Sequence, residues 1–294
     1  MKGFSDILSG YTQGGAMKRR KVAKVVGGQV QYDGAGVKLV RVFSRDETKE
    51  FDPFLMLDAF DSDNPADYEK GFPWHPHRGI ETVTYLIHGD IEHGDSLGNS
   101  GSILDGSCQW MTAGSGIIHQ EMPQATPRLL GAQLWVNLPQ KDKMCEPAYR
   151  DIRSDMVTEV HEEGVDIRII SGSYKDHTGP VQGDYVKTLY LDVHIQPEIQ
   201  WELEIDEKAT LFCYLVSGSA IFDDSKKVIP SHRAVLLKDG NTIKIEAQKE
   251  GVRLLLVSGL PLKESIAWGG PIVMNTREEL ALAFRELDEG NFIK

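Results

Sequence analysis

Two β barrels with a single helix near the C-terminus are predicted for this chain, on three observations. From residue 24 onward the sequence breaks into short runs of period-two apolar alternation, punctuated by Gly, Asp and Asn at roughly regular intervals. The rhythm occurs twice, with a Gly-containing hairpin signal in each half (LIHGD near 88, VSGSA near 218), either side of a charged stretch at 138–152. Only MNTREELALAFRELDEGNF has helical spacing.

In chain order, residues 1–20 carry Gly and Ser with little periodicity and read as a frayed, flexible tail. Its basic run, Lys18-Arg19-Arg20-Lys21, could be a nuclear signal, but reads more simply as a solvated tail before the first strand. The first barrel is expected over 21–140, from runs such as GGQVQYDGAGVKLVRVF, ETVTYLIHGD and GAQLWVNLP. The segment LPQKDKMCEPAYRDI, with Pro139 and Pro147, reads as the crossing to a second barrel and helix over 141–294. That barrel is built from KTLYLDVHI, ATLFCYLVSGSAIF, RAVLLKDGNTIKIEA and GVRLLLVSG. In the helix, Thr276 can serve as N-cap with Glu279 completing a capping box. Leu280, Phe284 and Leu287 follow at helical spacing, and Gly290 stops the run.

Composition limits the function classes. With 294 residues, 40% apolar and 26% charged, the chain is an ordinary soluble type, and its net charge of −12 argues against general nucleic-acid binding. No run approaches ~18 consecutive apolar residues and no apolar leader follows the N-terminal charges, so a cytoplasmic, membrane-free protein is expected. Cys108, Cys145 and Cys213 are widely spaced, without CxxC, and form neither a disulfide framework nor a zinc ribbon.

The chemistry is concentrated in two short patterns. His75-Pro76-His77 places two imidazoles at i and i+2, on one face of a strand, and His119-Gln120-Glu121 repeats the spacing about forty residues later. Two neighbouring strands, each offering such a pair inward, supply three imidazoles and a carboxylate, a set suited to Fe(II), Mn(II), Ni(II), Cu(II) or Zn(II). A single histidine in either pattern would read as a structural, hydrogen-bonded group. His88 and His93 flank a turn and are expected in solvent; Glu92-His93-Asp95 resembles a metal loop but lies in turn chemistry. His161, His177, His194 and His232 are isolated and read as structural.

HPHRGIETVTYLI, HGDSLGNSG (93–101) and QWMTAGSGIIHQEMP (109–123) closely resemble the pirin family of the cupin superfamily, and GGPIVMNTREEL (269–280) resembles the segment leading into its C-terminal helix. The resemblance implies a bicupin, with metal in the N-terminal barrel only and the ligands at His75, His77, His119 and Glu121. It implies iron, one ion per chain, although such a donor set would also take Mn, Ni, Cu, Zn or Co. Several members are quercetin 2,3-dioxygenases that open a flavonol with O₂, while others are regulators whose metal state controls a protein partner. Both readings are carried forward. The general cupin pattern would instead put the carboxylate ligand at Glu81, four residues after His77 and expected on the same face. The pirin pattern favours Glu121, which could also act as general base, and leaves Glu81 to orient a histidine N–H. Phe72, Trp74, Met111 and Trp135 would wall a pocket for a flat aromatic guest, with Asp58 near its mouth.

Overall fold

The structure is a computed structural model that describes residues 17–294. The expected tail therefore lies outside the described residues as far as residue 16. Within it Arg20 is buried, not solvated: its guanidinium donates to the carbonyls of Gly240 (2.9 Å), Leu237 (3.0 Å), Asp206 (2.7 Å) and Ala209 (2.8 Å). Carbonyls around a loop supply the acceptors that a buried guanidinium needs.

Alternating runs do become strands, and the strands make two cupin-type barrels. The first combines a seven-stranded antiparallel sheet with a four-stranded one. In the large sheet the strand order is Ala148–Ile152, Cys108–Thr112, Ile80–His88, Leu129–Asn137, Phe54–Ser62, Val37–Phe43 and Gln29–Asp33. The small sheet runs Phe72–His77, Ile117–Pro123, Ile91–Asp95, Ser100–Ile103. The second barrel is a nine-stranded sheet organised around Thr242–Gly259, one 18-residue strand where two shorter ones were expected.

The barrels pack back to back through a shared apolar layer. Val83, Tyr85, Trp110 and Leu134 from the first meet Tyr190, Phe212, Tyr214 and Leu255 from the second. Phe212 sits edge-on to Phe43, Phe51 and Phe54, with ring centroids 5.2, 5.5 and 5.4 Å away. Inside the second barrel the core is apolar, with Ile167, Val193, Cys213, Leu254 and Leu256 among its members. The first barrel differs. Its apolar clusters lie apart, and histidines, threonines and glutamines occupy interior positions between them.

Both chain ends cross over, so the expected division at residue 140 does not describe the sheets. Lys21–Val26 pairs with Arg233–Lys238 in the second barrel, whereas Ala148–Ile152, expected in the crossing, pairs with Cys108–Thr112 in the first. The C-terminal segment also returns to the first barrel. After the short hairpin Ala267–Gly269/Ile272–Met274 comes the helix Arg277–Asp288. Thr276 Oγ1 accepts from Glu279 N–H as a cap should, but the Glu279 carboxylate takes the N–H of Asn275, one residue before the cap. Arg78, buried beside His77, pins this segment through Glu286 (2.6 Å), the Phe292 carbonyl (2.7 Å) and the Phe292 ring face (4.2 Å).

Candidate metal centre

The stretch 72–88 is two strands rather than one. Arg78 and Gly79 turn the chain from the four-stranded sheet into the seven-stranded one. Gly79 has φ +76°, and a Cβ there would lie 2.0 Å from the Val273 carbonyl oxygen, so glycine is required for the C-terminal hairpin to approach. Before the turn, His75 and His77 share a face. Ile117–Pro123 pairs alongside with His119 opposite His75, which brings the third imidazole to the first two.

The ligating nitrogens of His75, His77 and His119 lie within 4.8 Å of one another, and the ring centroids are 4.4–5.1 Å apart. His77 Nδ1 is 3.0 Å from the carbonyl of Pro271, and His75 Nδ1 is 2.8 Å from that of Pro73. A carbonyl only accepts, so in each ring Nδ1 carries a proton, which leaves Nε2 as the nitrogen that can ligate. Both nitrogens of His119 are buried and have no hydrogen-bond partner among the described residues. Burial, with His75 beside it, lowers His77 to about 3; burial with the two neighbouring histidines puts His119 well below its ordinary value. Three clustered imidazoles, one of them buried with both nitrogens unpartnered among the described residues, are the kind of donor set a divalent metal requires.

Glu121 lines the same cavity as His75 and His77 but stands outside the histidine triad. Its carboxylate is held from behind: Gln133 Nε2 donates to Oε1 (3.0 Å) and Oε2 (2.9 Å), and Thr84 Oγ1 donates to Oε1 (3.1 Å). Glu81 does not orient a histidine. Because the turn starts a new strand, parity does not carry over from His77. Glu81 falls on the face of Val83 and Tyr85, which belongs to the inter-barrel layer, while Ile80 and Thr84 face the site. There Glu81 accepts from Thr112 Oγ1 (2.8 Å), and burial raises its pKa against that bond.

The cavity has a volume of about 350 Å³. Phe72, Trp135 and Asp58 line it, joined by Met56, Phe60 and Trp268. Trp74 alternates with His75 and His77, projects outward and is 55% exposed; Met111 is packed beneath Trp135, away from the lumen. Asp58 is a buried strand residue paired with Arg41, whose Nε and Nη2 bond its two oxygens at 2.9 and 2.8 Å. Trp268, Pro271 and Gln133 were not singled out from the sequence. The first two stand almost two hundred residues from His77, and only their place beside the quoted GGPIVMN segment could have marked them.

His93 also departs from expectation. Ile91–Asp95 is an inner strand of the small sheet, so His93 is buried, stacked on Tyr149 at 4.7 Å and hydrogen-bonded to its hydroxyl. Asp95 is spent on the N–H groups of Leu97 and Asn99 and on the Asn99 amide, so the 92–95 trio is no metal loop.

Residues 36–136 match the Pirin family, and residues 190–293 match the Pirin C-terminal cupin domain. A pirin-like protein of Caulobacter vibrioides is 43% identical over 281 residues, spanning 94% of this chain and all of that one. The chain belongs to the pirin family. Among solved structures, a quercetin 2,3-dioxygenase from Acinetobacter baumannii superposes with a TM-score of 0.85 at 30% identity, covering 94% of this pirin and 99% of that chain. The bacterial pirin YhhW of Escherichia coli, in complex with nickel(II), shares the fold at a TM-score of 0.64 and 20% identity, over 81% and 98% of the two chains. No helix among the described residues is long and apolar enough to cross a membrane.

Proposed function

We propose that this pirin is a metal-dependent dioxygenase that opens a flavonol-like ring with O₂, with His75, His77, His119 and Glu121 as ligands. The observation that carries the reading is the clustering of three imidazoles, two of them buried, with His75 and His77 in the wall of an aromatic cavity. The similarity to a quercetin 2,3-dioxygenase supports it. A bound divalent ion, iron by family resemblance, would supply Lewis acidity toward a substrate hydroxyl and a meeting place for O₂.

The chain's own residues provide the rest. The carbonyls of Pro73 and Pro271 fix two imidazole tautomers, leaving Nε2 as the donor in each. Glu121, steadied by Gln133 and Thr84, offers a carboxylate on the cavity wall that can receive a hydroxyl proton. Phe60, Phe72, Trp135 and Trp268 exclude water and present flat faces to a flat guest.

The test is anaerobic reconstitution with Fe(II), followed by quercetin and O₂. O₂ uptake with release of carbon monoxide, both abolished by a chelator, is the expected result. Absence of turnover with Fe, Mn, Ni, Cu, Zn or Co would sink the catalytic reading and leave a metal-dependent binding protein.

A further inference from the structure

Two arginines stand in the cavity wall, and they are in opposite situations. Arg41 is fully engaged, with two bonds to Asp58 and one of 2.7 Å to Asp33. Arg45, exposed at the rim, has no carboxylate within 4 Å and donates no hydrogen bond among the described residues. Its guanidinium lies over the Trp268 ring, 5.2 Å from the centroid. That cation–π contact anchors the side chain without engaging its N–H groups in a hydrogen bond.

Arg45 also ends a line of contacts that begins at the metal centre. His77 meets Trp135 edge-on at 5.0 Å, Trp135 lies against Trp268 at 5.8 Å, and Trp268 carries Arg45. A flat guest with one end at the histidines would run along two indoles toward an unspent cation. Arg41 is shared by two carboxylates, Asp58 and Asp33, so with Arg45 and Glu121 the wall holds two guanidiniums against three carboxylates and only Arg45 lacks a partner. A divalent ion at the histidines would outweigh that one surplus negative charge, so the loaded cavity would be net positive within a chain of charge −12.

We propose that Arg45, held on Trp268, selects aromatic substrates that carry an anionic group, such as a carboxylate, at the end remote from their metal-facing hydroxyl. The inference rests on the reading of the cavity as a metal-dependent aromatic site, and narrows its substrate class.

The experiment compares two probes, 6-hydroxy-2-naphthoate and 2-naphthol, titrated calorimetrically into Fe(II)-loaded protein without O₂ at low salt. The carboxylate should improve affinity on the order of tenfold, as one charge-assisted contact at a partly exposed site allows, and the preference should shrink as salt is added. Arg45→Gln should abolish the preference, and Arg45→Lys should retain part of it. Equal binding of the two probes by the native protein, binding of neither, or an undiminished preference in Arg45→Gln would each overturn the proposal. Because O₂ is absent, these outcomes are separate from the quercetin assay: failure of turnover alone removes the catalytic reading and leaves the probe comparison standing.

Discussion

His119 concentrates the argument at the scale of single residues. It is buried, neutral and without a partner for either ring nitrogen, a state that costs free energy unless something outside the chain satisfies it. His119→Ala should therefore remove most of the metal that native protein retains after purification without chelators, measured by elemental analysis; full retention would refute the assignment. Glu81→Gln should leave metal content unchanged, since the carboxylate faces Thr112 across the wrong side of its strand, whereas Glu121→Gln should lower it. Equal loss in both variants would show that Glu81 reaches the site. Here the sequence was informative within a strand and misleading across a turn. Parity paired His75 with His77 and His119 with Glu121, and each pair does lie in one strand. It failed for Glu81 because Arg78-Gly79 changes sheets, and nothing in a period-two pattern records which sheet a strand joins.

At the scale of elements, the C-terminal hairpin and helix act as a wall of the first barrel. Lys143 fastens them: its Nζ donates to the Gly79 carbonyl (2.7 Å), the Val273 carbonyl (2.9 Å) and Asn137 Oδ1 (2.5 Å). Burial pulls this ammonium from its ordinary 10.5 down to about 7. The unfolded chain then binds more protons than the folded one between pH 7 and 10.5, so this group's contribution makes stability rise with pH across that window. In Lys143→Met the rise should be missing, with the difference between the two proteins changing by at most about 1.4 kcal/mol per pH unit. Urea unfolding at several pH values measures it, and parallel curves for the two proteins would exclude the effect. The helix itself was legible, because caps and helical spacing are local. Its docking site was not, because Arg78 reaches Glu286 of the helix, and Lys143 and Gly79 meet Val273 of the hairpin, only through tertiary packing.

At the scale of the molecule, the two barrels share one apolar layer and exchange chain ends, so they should unfold together. Phe212→Ala, at the centre of four phenylalanines, should cost about 3–5 kcal/mol and lower a single transition. Two resolved calorimetric transitions in the native protein would show the barrels to be independent. The barrel count was readable from the repeated rhythm, while the exchange was not, since an edge strand looks alike whichever sheet it completes. The same layout gives the second barrel a packed interior around Cys213, and one metal ion per chain is the stoichiometry expected from elemental analysis.

The crossing of the C-terminal hairpin has a consequence for the order of events during synthesis. All four candidate ligands have left the ribosome soon after residue 121, but Trp268 and the Pro271 carbonyl, which close the cavity and set the tautomer of His77, come about 150 residues later. At ~5–20 residues per second that is an interval of roughly 7 to 30 seconds. Throughout it the histidines can assemble as an open cluster, without the wall that defines what may reach them. A nascent chain can thus meet a metal before it can discriminate a substrate, and selectivity is the last property the polypeptide acquires.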